Sequence, residues 1–192
     1  SGTYAQHNGV WGDVPGAIET HAAKNITITN SELRNLGIGG IRIGNGSSDC
    51  AITNSAIHDI SSSGIFIGNN TGHNHGYCDP GTDVTGVVVR NNYITRTGLD
   101  IFGSSAICAL YTSDTVIDHN EVCYTTYTGI SLGWGWDWKN APCSGNNTVS
   151  NNYIHDTGKT IHDGGSFYSL GLQEGTKVFG NYLHHHSDGL YD

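Results

Sequence analysis

The side chains able to do chemistry gather in the second half of the chain. Trp134, Trp136 and Trp138 alternate in the run Gly133-Trp134-Gly135-Trp136-Asp137-Trp138. Alternate residues of an extended chain share one face, so the three indoles would form a platform for sugar rings. Packing of that loop onto the body of the protein is the competing role. Asp163 opens an Asp-Gly-Gly segment that runs on to Phe167 and Tyr168. An aspartate in such a segment either shapes a turn or presents a carboxyl that can give and take a proton, and the residues alone leave both roles open. His155 and His162 precede it, and His184, His185 and His186 follow. Imidazoles so placed can orient an acid, hydrogen-bond a sugar or bind a metal. Neighbours on a strand point alternately, so at most His184 and His186 share a face. A metal site needs three or four convergent ligands, and the sequence displays no such set. No metal is therefore expected. His155, His162, His184, His186 and Tyr168 are assigned to the lining of a binding groove.

Charge narrows the partners. Eight Lys and Arg stand against 17 Asp and Glu, for a net charge of −9. The basic residues are scattered, so the stripe that a nucleic-acid binder needs is missing. An anionic polymer would be repelled unless a cation intervened. No cofactor is expected, and calcium is the one exception entertained. No apolar run reaches membrane-spanning length. The five cysteines, Cys50, Cys78, Cys108, Cys123 and Cys143, show no C-x-x-C zinc spacing and are all disulfide candidates, with pairings left open. N-x-S/T sequons at Asn25, Asn45, Asn69 and Asn146, taken with the cysteines, point to a secreted glycoprotein. The chain starts at Ser1 without a signal peptide, as a mature or trimmed product would.

What could position these groups is an internal repeat. A β-branched run, a polar Asn-rich pair and an aliphatic residue recur: Ile28-Thr29-Asn30-Ser31-Glu32-Leu33, Ile52-Thr53-Asn54-Ser55-Ala56-Ile57, Val89-Arg90-Asn91-Asn92-Tyr93-Ile94. The later copies end at Val122, Ile154 and Leu183. A second strand follows, as in Gly40-Ile41-Arg42-Ile43-Gly44 and Gly64-Ile65-Phe66-Ile67-Gly68. Its period-two pattern sends Ile41, Ile43, Ile65, Ile67, Ile107, Ile130 and Leu132 inward, and Arg42, Phe66, Cys108 and Ser131 outward. Like strands repeating in one direction stack in parallel, about 4.8 Å per coil. The expected fold is all-β, a right-handed parallel β-helix of about six coils, occupying residues 1–192 as a single domain. Insertion loops fall at about 69–83 and 133–146, and each carries one cysteine, Cys78 and Cys143, that a bridge could tie down. The recurring Asn before each aliphatic mark is read as structural, adopting φ > 0 in a turn and laddering its amides between coils. Neither end offers a clear cap, so the chain is expected to be a fragment of a longer protein, open to self-association through its ends.

Gly16-Ala17-Ile18-Glu19, Asn25-Ile26-Thr27-Ile28, Gly37-Ile38-Gly39-Gly40-Ile41, Asp163-Gly164-Gly165 and Gly189-Leu190-Tyr191-Asp192 resemble secreted pectate-lyase-like β-helix proteins. The similarity is greatest to the glycoside-hydrolase branch that includes family 141 enzymes, which act on plant-type polysaccharides. It covers most of the chain. The resemblance implies an acid pair, one Asp in D-G-G-x-x-Y and one in a following Y-x-D. Asp163 matches the first. The second falls one place beyond Asp192, which leaves Asp192 and Asp188 as the acids within the chain. Adjacent coils can supply the carboxyl separations of retaining or inverting glycosidases, roughly 5–9.5 Å.

The leading expectation is thus a secreted, carbohydrate-active enzyme, a glycoside hydrolase acting on a plant- or algal-type polysaccharide or glycan. The alternatives are an extracellular fibre or adhesin subunit, a carbohydrate-binding β-helix without catalysis, and a polysaccharide lyase. The lyase ranks lower because its chemistry needs a base and a cation, and the basic residues are few.

Overall fold

Each sequence repeat folds into one coil, and each coil lends one strand to each of three parallel sheets. The computed structural model describes residues 14–68, 81–133 and 143–187. Sheet one contains β1 (Gly16–Thr20), β4 (Gly39–Ile43), β7 (Ile65–Gly68), β11 (Ile107–Leu110), β15 (Ile130–Leu132) and β18 (Phe167–Ser169), in that spatial order. Sheet two contains β2 (Thr27–Thr29), β5 (Ala51–Thr53), β9 (Val88–Arg90), β13 (Val116–Asp118), β16 (Thr148–Ser150) and β19 (Lys177–Phe179). Sheet three contains β3 (Glu32–Leu36), β6 (Ala56–Ile60), β10 (Tyr93–Thr97), β14 (Glu121–Cys123), β17 (Tyr153–His155) and β20 (Tyr182–His184). A short extra pair, β8 (Val84–Thr85) and β12 (Thr112–Ser113), lies at one corner. No helix occurs among the described residues. Sheet order follows chain order in all three sheets, the arrangement of a parallel β-helix.

The repeat is also the register. Leu33, Ile57, Ile94, Val122, Ile154 and Leu183 stand opposite one another through sheet three. Ile41, Ile65, Ile107 and Ile130 do the same through sheet one. All the residues expected to point inward there are at most 1% exposed. A one-residue slip would turn every such column to solvent, so the alternation locks the stack.

The coil turns at three corners, and each turn uses a left-handed residue. Asn30, Asn54, Asn91, His119 and Asn151 have φ between 51° and 56°, one per coil between sheets two and three. Asn35, Asp59, Arg96, Tyr124, Asp156 and His185 form the matching column at the C-terminal ends of the sheet-three strands, at φ 49–56°. The expected asparagine turn is therefore present, but its two jobs are divided between neighbours. The first residue takes the left-handed backbone, and the next builds the ladder. Asn92 Nδ2 donates to Asn120 Oδ1 at 3.0 Å, Asn120 Nδ2 to Asn152 Oδ1 at 3.0 Å, and Asn152 Nδ2 to Asn181 Oδ1 at 2.9 Å. Each amide oxygen also accepts the backbone N–H of the residue one coil earlier, as Asn152 Oδ1 does from Asn120 N. Buried polar groups are tolerable only when satisfied, and this column is.

The cysteine expectation needs correction at three positions. Cys50, Cys108 and Cys123 are buried free thiols. Cys50 belongs to the central core, Cys108 to the outer side of sheet one and Cys123 to the outer side of sheet three. Three different faces cannot bring these sulfurs together. Cys143 packs beside Phe66, Cys108, Leu110 and Tyr111, and Cys78 lies outside the described residues.

Candidate active site and the two outward faces

Two outward faces carry the chemistry. On sheet one the outward column reads Glu19, Arg42, Phe66, Cys108, Ser131 and Tyr168, each paired with the next. These residues point outward as the alternation requires, yet Phe66, Cys108 and Ser131 are buried. The Arg42 guanidinium lies 5.2 Å from the centre of the Phe66 ring. Complete burial pushes the Cys108 thiol up to about 12, so it is an inert, neutral group.

Asp163 sits at the end of this face, four residues before β18. It is exposed and makes no ion pair among the described residues. Its neighbour Gly164 has φ 102°, and a Cβ there would stand 2.7 Å from Thr128 Oγ1 and 3.2 Å from the Tyr127 ring. Only glycine fits, so the chain lies flat on Tyr127 and holds Asp163 above it. Burial first, and then the Asp163 charge, push the Tyr127 hydroxyl up to about 12. Tyr168 joins this group from the outward column and acts on Tyr127 in the same sense.

Three other aspartates are occupied. The Asp59 carboxylate takes two hydrogen bonds from Arg96, at 2.6 and 2.7 Å, and one from His58 at 2.7 Å, which hold it well below the usual carboxylate range. For Asp118, burial opposes the charge. Hydrogen bonds from Ser150, His119 and Asn151 overcome it and hold the group low, and Arg90 pairs with it at 3.0 Å. Asp156 is lowered to about 2 by His155 and then Lys159, each at 2.9 Å. A carboxylate locked in its charged form serves poorly as an acid at neutral pH. Asp163 is free of such partners.

Sheet three presents the second face, with two outward columns. One runs Glu32, Ala56, Tyr93, Glu121, Tyr153 and Tyr182, and the other Arg34, His58, Thr95, Cys123, His155 and His184. The His155 and His184 rings stack at 5.2 Å and 10°, and Tyr153 stacks on His155 at 4.3 Å and on Tyr182 at 5.5 Å. The Tyr153 hydroxyl meets His184 Nε2 at 2.8 Å.

The expected groove lining is thus split. His155 and His184 come together on sheet three, whereas Tyr168 stands on sheet one and His162 is exposed in the loop between. His186 does not share a face with His184, against the simple alternation. The left-handed His185 (φ 54°) rotates the chain, and His186 Nδ1 turns to Thr157 Oγ1 at 2.8 Å. Trp134, Trp136, Trp138, Asp188 and Asp192 lie outside the described residues, as does Asn69. Asn25 and Asn146 are exposed at a third left-handed corner (φ 59° and 52°), where Asp49 and Asp114 occupy the same role. A corner Asn followed by a strand threonine writes a sequon for structural reasons alone. Asn45 is half-buried. Glu121 and Cys123, outside the expected groove lining, stand on the same face as His155. Their signal was present as the i, i+2 spacing on one strand.

A family described as "Right handed beta helix region" matches residues 16–191. Among solved structures, one titled "Glycoside hydrolase" shares 27% identity with a TM-score of 0.76, over 89% of this chain and 31% of its own. An alginate lyase from Paenibacillus sp. str. FPU-7 shares 18% identity with a TM-score of 0.46, over 87% of this chain and 64% of its own. This chain therefore spans about a third of the first protein's length. No curated protein matches.

Proposed function

The chain belongs to the right-handed β-helix family, and from that premise we propose that it is a carbohydrate-active protein, a glycoside hydrolase acting on a plant- or algal-type polysaccharide. The single observation that carries this reading is Asp163. It is a carboxylate without an ion-pair partner among the described residues, held by an obligatory glycine over a buried tyrosine, at the end of an outward column that includes Tyr168. The likeness to a glycoside hydrolase at 27% identity supports the class of reaction. Asp163 would be one member of the acid pair, with Asp188 or Asp192 as the positions for the other. The indoles of Trp134, Trp136 and Trp138 would supply a sugar platform.

The test is Asp163→Asn, assayed for release of reducing ends from plant and algal polysaccharides, with the fold followed by circular dichroism. Turnover should fall by about 10²–10⁴-fold, the range for loss of a positioned acid or base. Unchanged turnover removes Asp163 from the mechanism. Unsaturated products absorbing in the ultraviolet would move the assignment to a lyase.

Export and glycosylation at Asn25, Asn45, Asn69 and Asn146 belong to the same reading and are tested by mass shift on deglycosylation after expression in a secretory host. A bridge between Cys78 and Cys143 would tie the two insertions together, since the other three thiols are free. Peptide mapping without reductant should recover the two peptides joined; five free thiols would refute it. A rod-like fibre or adhesin subunit is the second reading, supported by the apolar residues left exposed at the stack ends: Ile18 at 37%, Val178 at 49% and Leu183 at 43%. Filaments in purified material, with no glycan hydrolysis, would decide for it.

A further inference from the structure

The outward face of sheet three holds a set of groups that the proposed hydrolysis does not use. Glu121, Cys123 and His155 each offer one ligand atom, and the three atoms lie within 4.8 Å of one another. Their convergence follows from the fold. Glu121 and Cys123 are two apart on β14 and so share a face, and Cys123 stands opposite His155 on β17. No rearrangement of the backbone is needed to bring them together.

The imidazole is already oriented. Asp156 Oδ2 lies 2.9 Å from His155 Nδ1, and Lys159 fixes the far oxygen of the same carboxylate at 2.9 Å. A carboxylate in that place accepts a hydrogen bond from Nδ1–H and leaves Nε2 with its lone pair outward, the usual support of a metal-bound histidine. Tyr153 and His184 both pack against the ring, at 4.3 and 5.2 Å, and touch each other. Nε2 then faces Glu121 Oε1 at 3.4 Å. A lone pair opposite a carboxylate requires a cation between them, either a second proton on the ring or a metal.

An internal comparison favours the metal. The same trio occurs earlier in the stack, where His58 lies 2.7 Å from Asp59 and 3.1 Å from Glu32. There the protein also places a cation beside the glutamate. Arg34 stands opposite His58 and reaches Glu32 at 3.7 Å, while Arg96 pairs with Asp59 as Lys159 does with Asp156. In the later trio the residue standing opposite His155 is Cys123. A guanidinium has been exchanged for a thiol, an acceptor for a soft cation. Thr95 Oγ1 and the Tyr93 hydroxyl lie 3.3 and 3.8 Å from its sulfur, placed to donate hydrogen bonds to a thiolate.

We propose that Glu121, Cys123 and His155 form a binding site for a zinc-class divalent cation, with Asp156 holding the histidine. Sulfur, nitrogen and one carboxylate oxygen select zinc or cobalt over calcium or magnesium. Ligand atoms about a tetrahedral zinc are separated by roughly 3.5 Å, so the Nε2–Oε1 distance already fits and the sulfur closes by side-chain rotation. Three protein ligands leave the fourth position to water, on the side where Glu121 is exposed. Binding releases the Cys123 proton to solvent.

The experiment titrates the reduced, untagged protein with Co²⁺, then displaces it with Zn²⁺. One equivalent should produce a thiolate-to-cobalt charge-transfer band and the visible bands of four-coordinate cobalt. Cys123→Ser and His155→Gln should abolish the charge-transfer band. Asp156→Asn should weaken affinity by about 10- to 100-fold, the usual effect of losing such a support. His58→Gln, at the arginine-supplied trio, should leave binding unchanged. Glu121→Gln, at an exposed position, covers the case in which Cys123→Ser fails to fold, and should weaken binding without altering the circular dichroism. Absence of a thiolate band, or a band that survives Cys123→Ser, would overturn the assignment; a doubly protonated His155 in the metal-free protein with no cobalt uptake would establish the proton instead.

Discussion

Partner geometry separates the proposed acid from three structural ones. Asp59, Asp118 and Asp156 each spend their charge on fixed donors, whereas Asp163 is exposed and has no ion-pair partner among the described residues. Its position depends on Gly164, where φ is 102° and a Cβ would collide with Thr128. Gly164→Ala should therefore cost about 1–3 kcal/mol of stability, from backbone strain and overpacking together. It should also lower turnover, because Asp163 moves with the segment. Urea unfolding and the reducing-end assay read the two effects separately. A stable variant of undiminished activity would show that the segment does not set the acid's position.

Among the elements, the asparagine ladder is the most exacting. Asn120 is 2% exposed, and its amide donates to Val89 O at 3.0 Å and to Asn152 Oδ1 at 3.0 Å. It also accepts from the Asn92 backbone and side chain, both at 3.0 Å. Asn120→Ala orphans several buried groups at once and should destabilise by about 3 kcal/mol. Asn181→Ala, in the last described coil and partly exposed, should cost about 1 kcal/mol. The difference in urea midpoint between these two variants measures how far burial multiplies the value of one repeated bond. Equal losses would mean that the ladder is not the source. The sequence announced this element plainly, since Asn recurs two or three residues before each aliphatic mark. What it could not announce was the division between a left-handed residue and a laddering one, because both are asparagine in two of the coils.

For the whole molecule, the paired carboxylates predict acid sensitivity. Asp59, Asp118 and Asp156 are held below the unfolded value of about 3.9. A depressed native pKa adds stability that is complete above the unfolded value and is lost as pH falls through the native one. Melting temperature should therefore be flat near neutrality and fall steeply below about pH 4. Asp118, the most buried of the three, should dominate, so Asp118→Asn should melt lower near neutrality and lose less on acidification than the parent. An unchanged acid limb would place the sensitivity elsewhere. The same scale decides the ends: interior columns are sealed in mid-stack and exposed at Ile18, Val178 and Leu183, where no described coil lies beyond.

The amino-acid sequence alone determined the coil, its approximate number of repeats and the inward residues, because a period-two pattern repeated in one direction admits one register. It also offered Asp163 as a candidate, through an Asp-Gly-Gly segment and the family resemblance. The distribution of polar groups among the faces was decided only by the tertiary structure. Left-handed residues at the corners rotate the chain between strands, so His184 and His186 part company and Tyr168 leaves the histidines. Stacking of coils of unequal length then brings Glu121, Cys123 and His155 within reach of one another. The repeat sets which residue lies opposite which, but the side-chain directions that close the three ligand atoms to within 4.8 Å were given only by the structure.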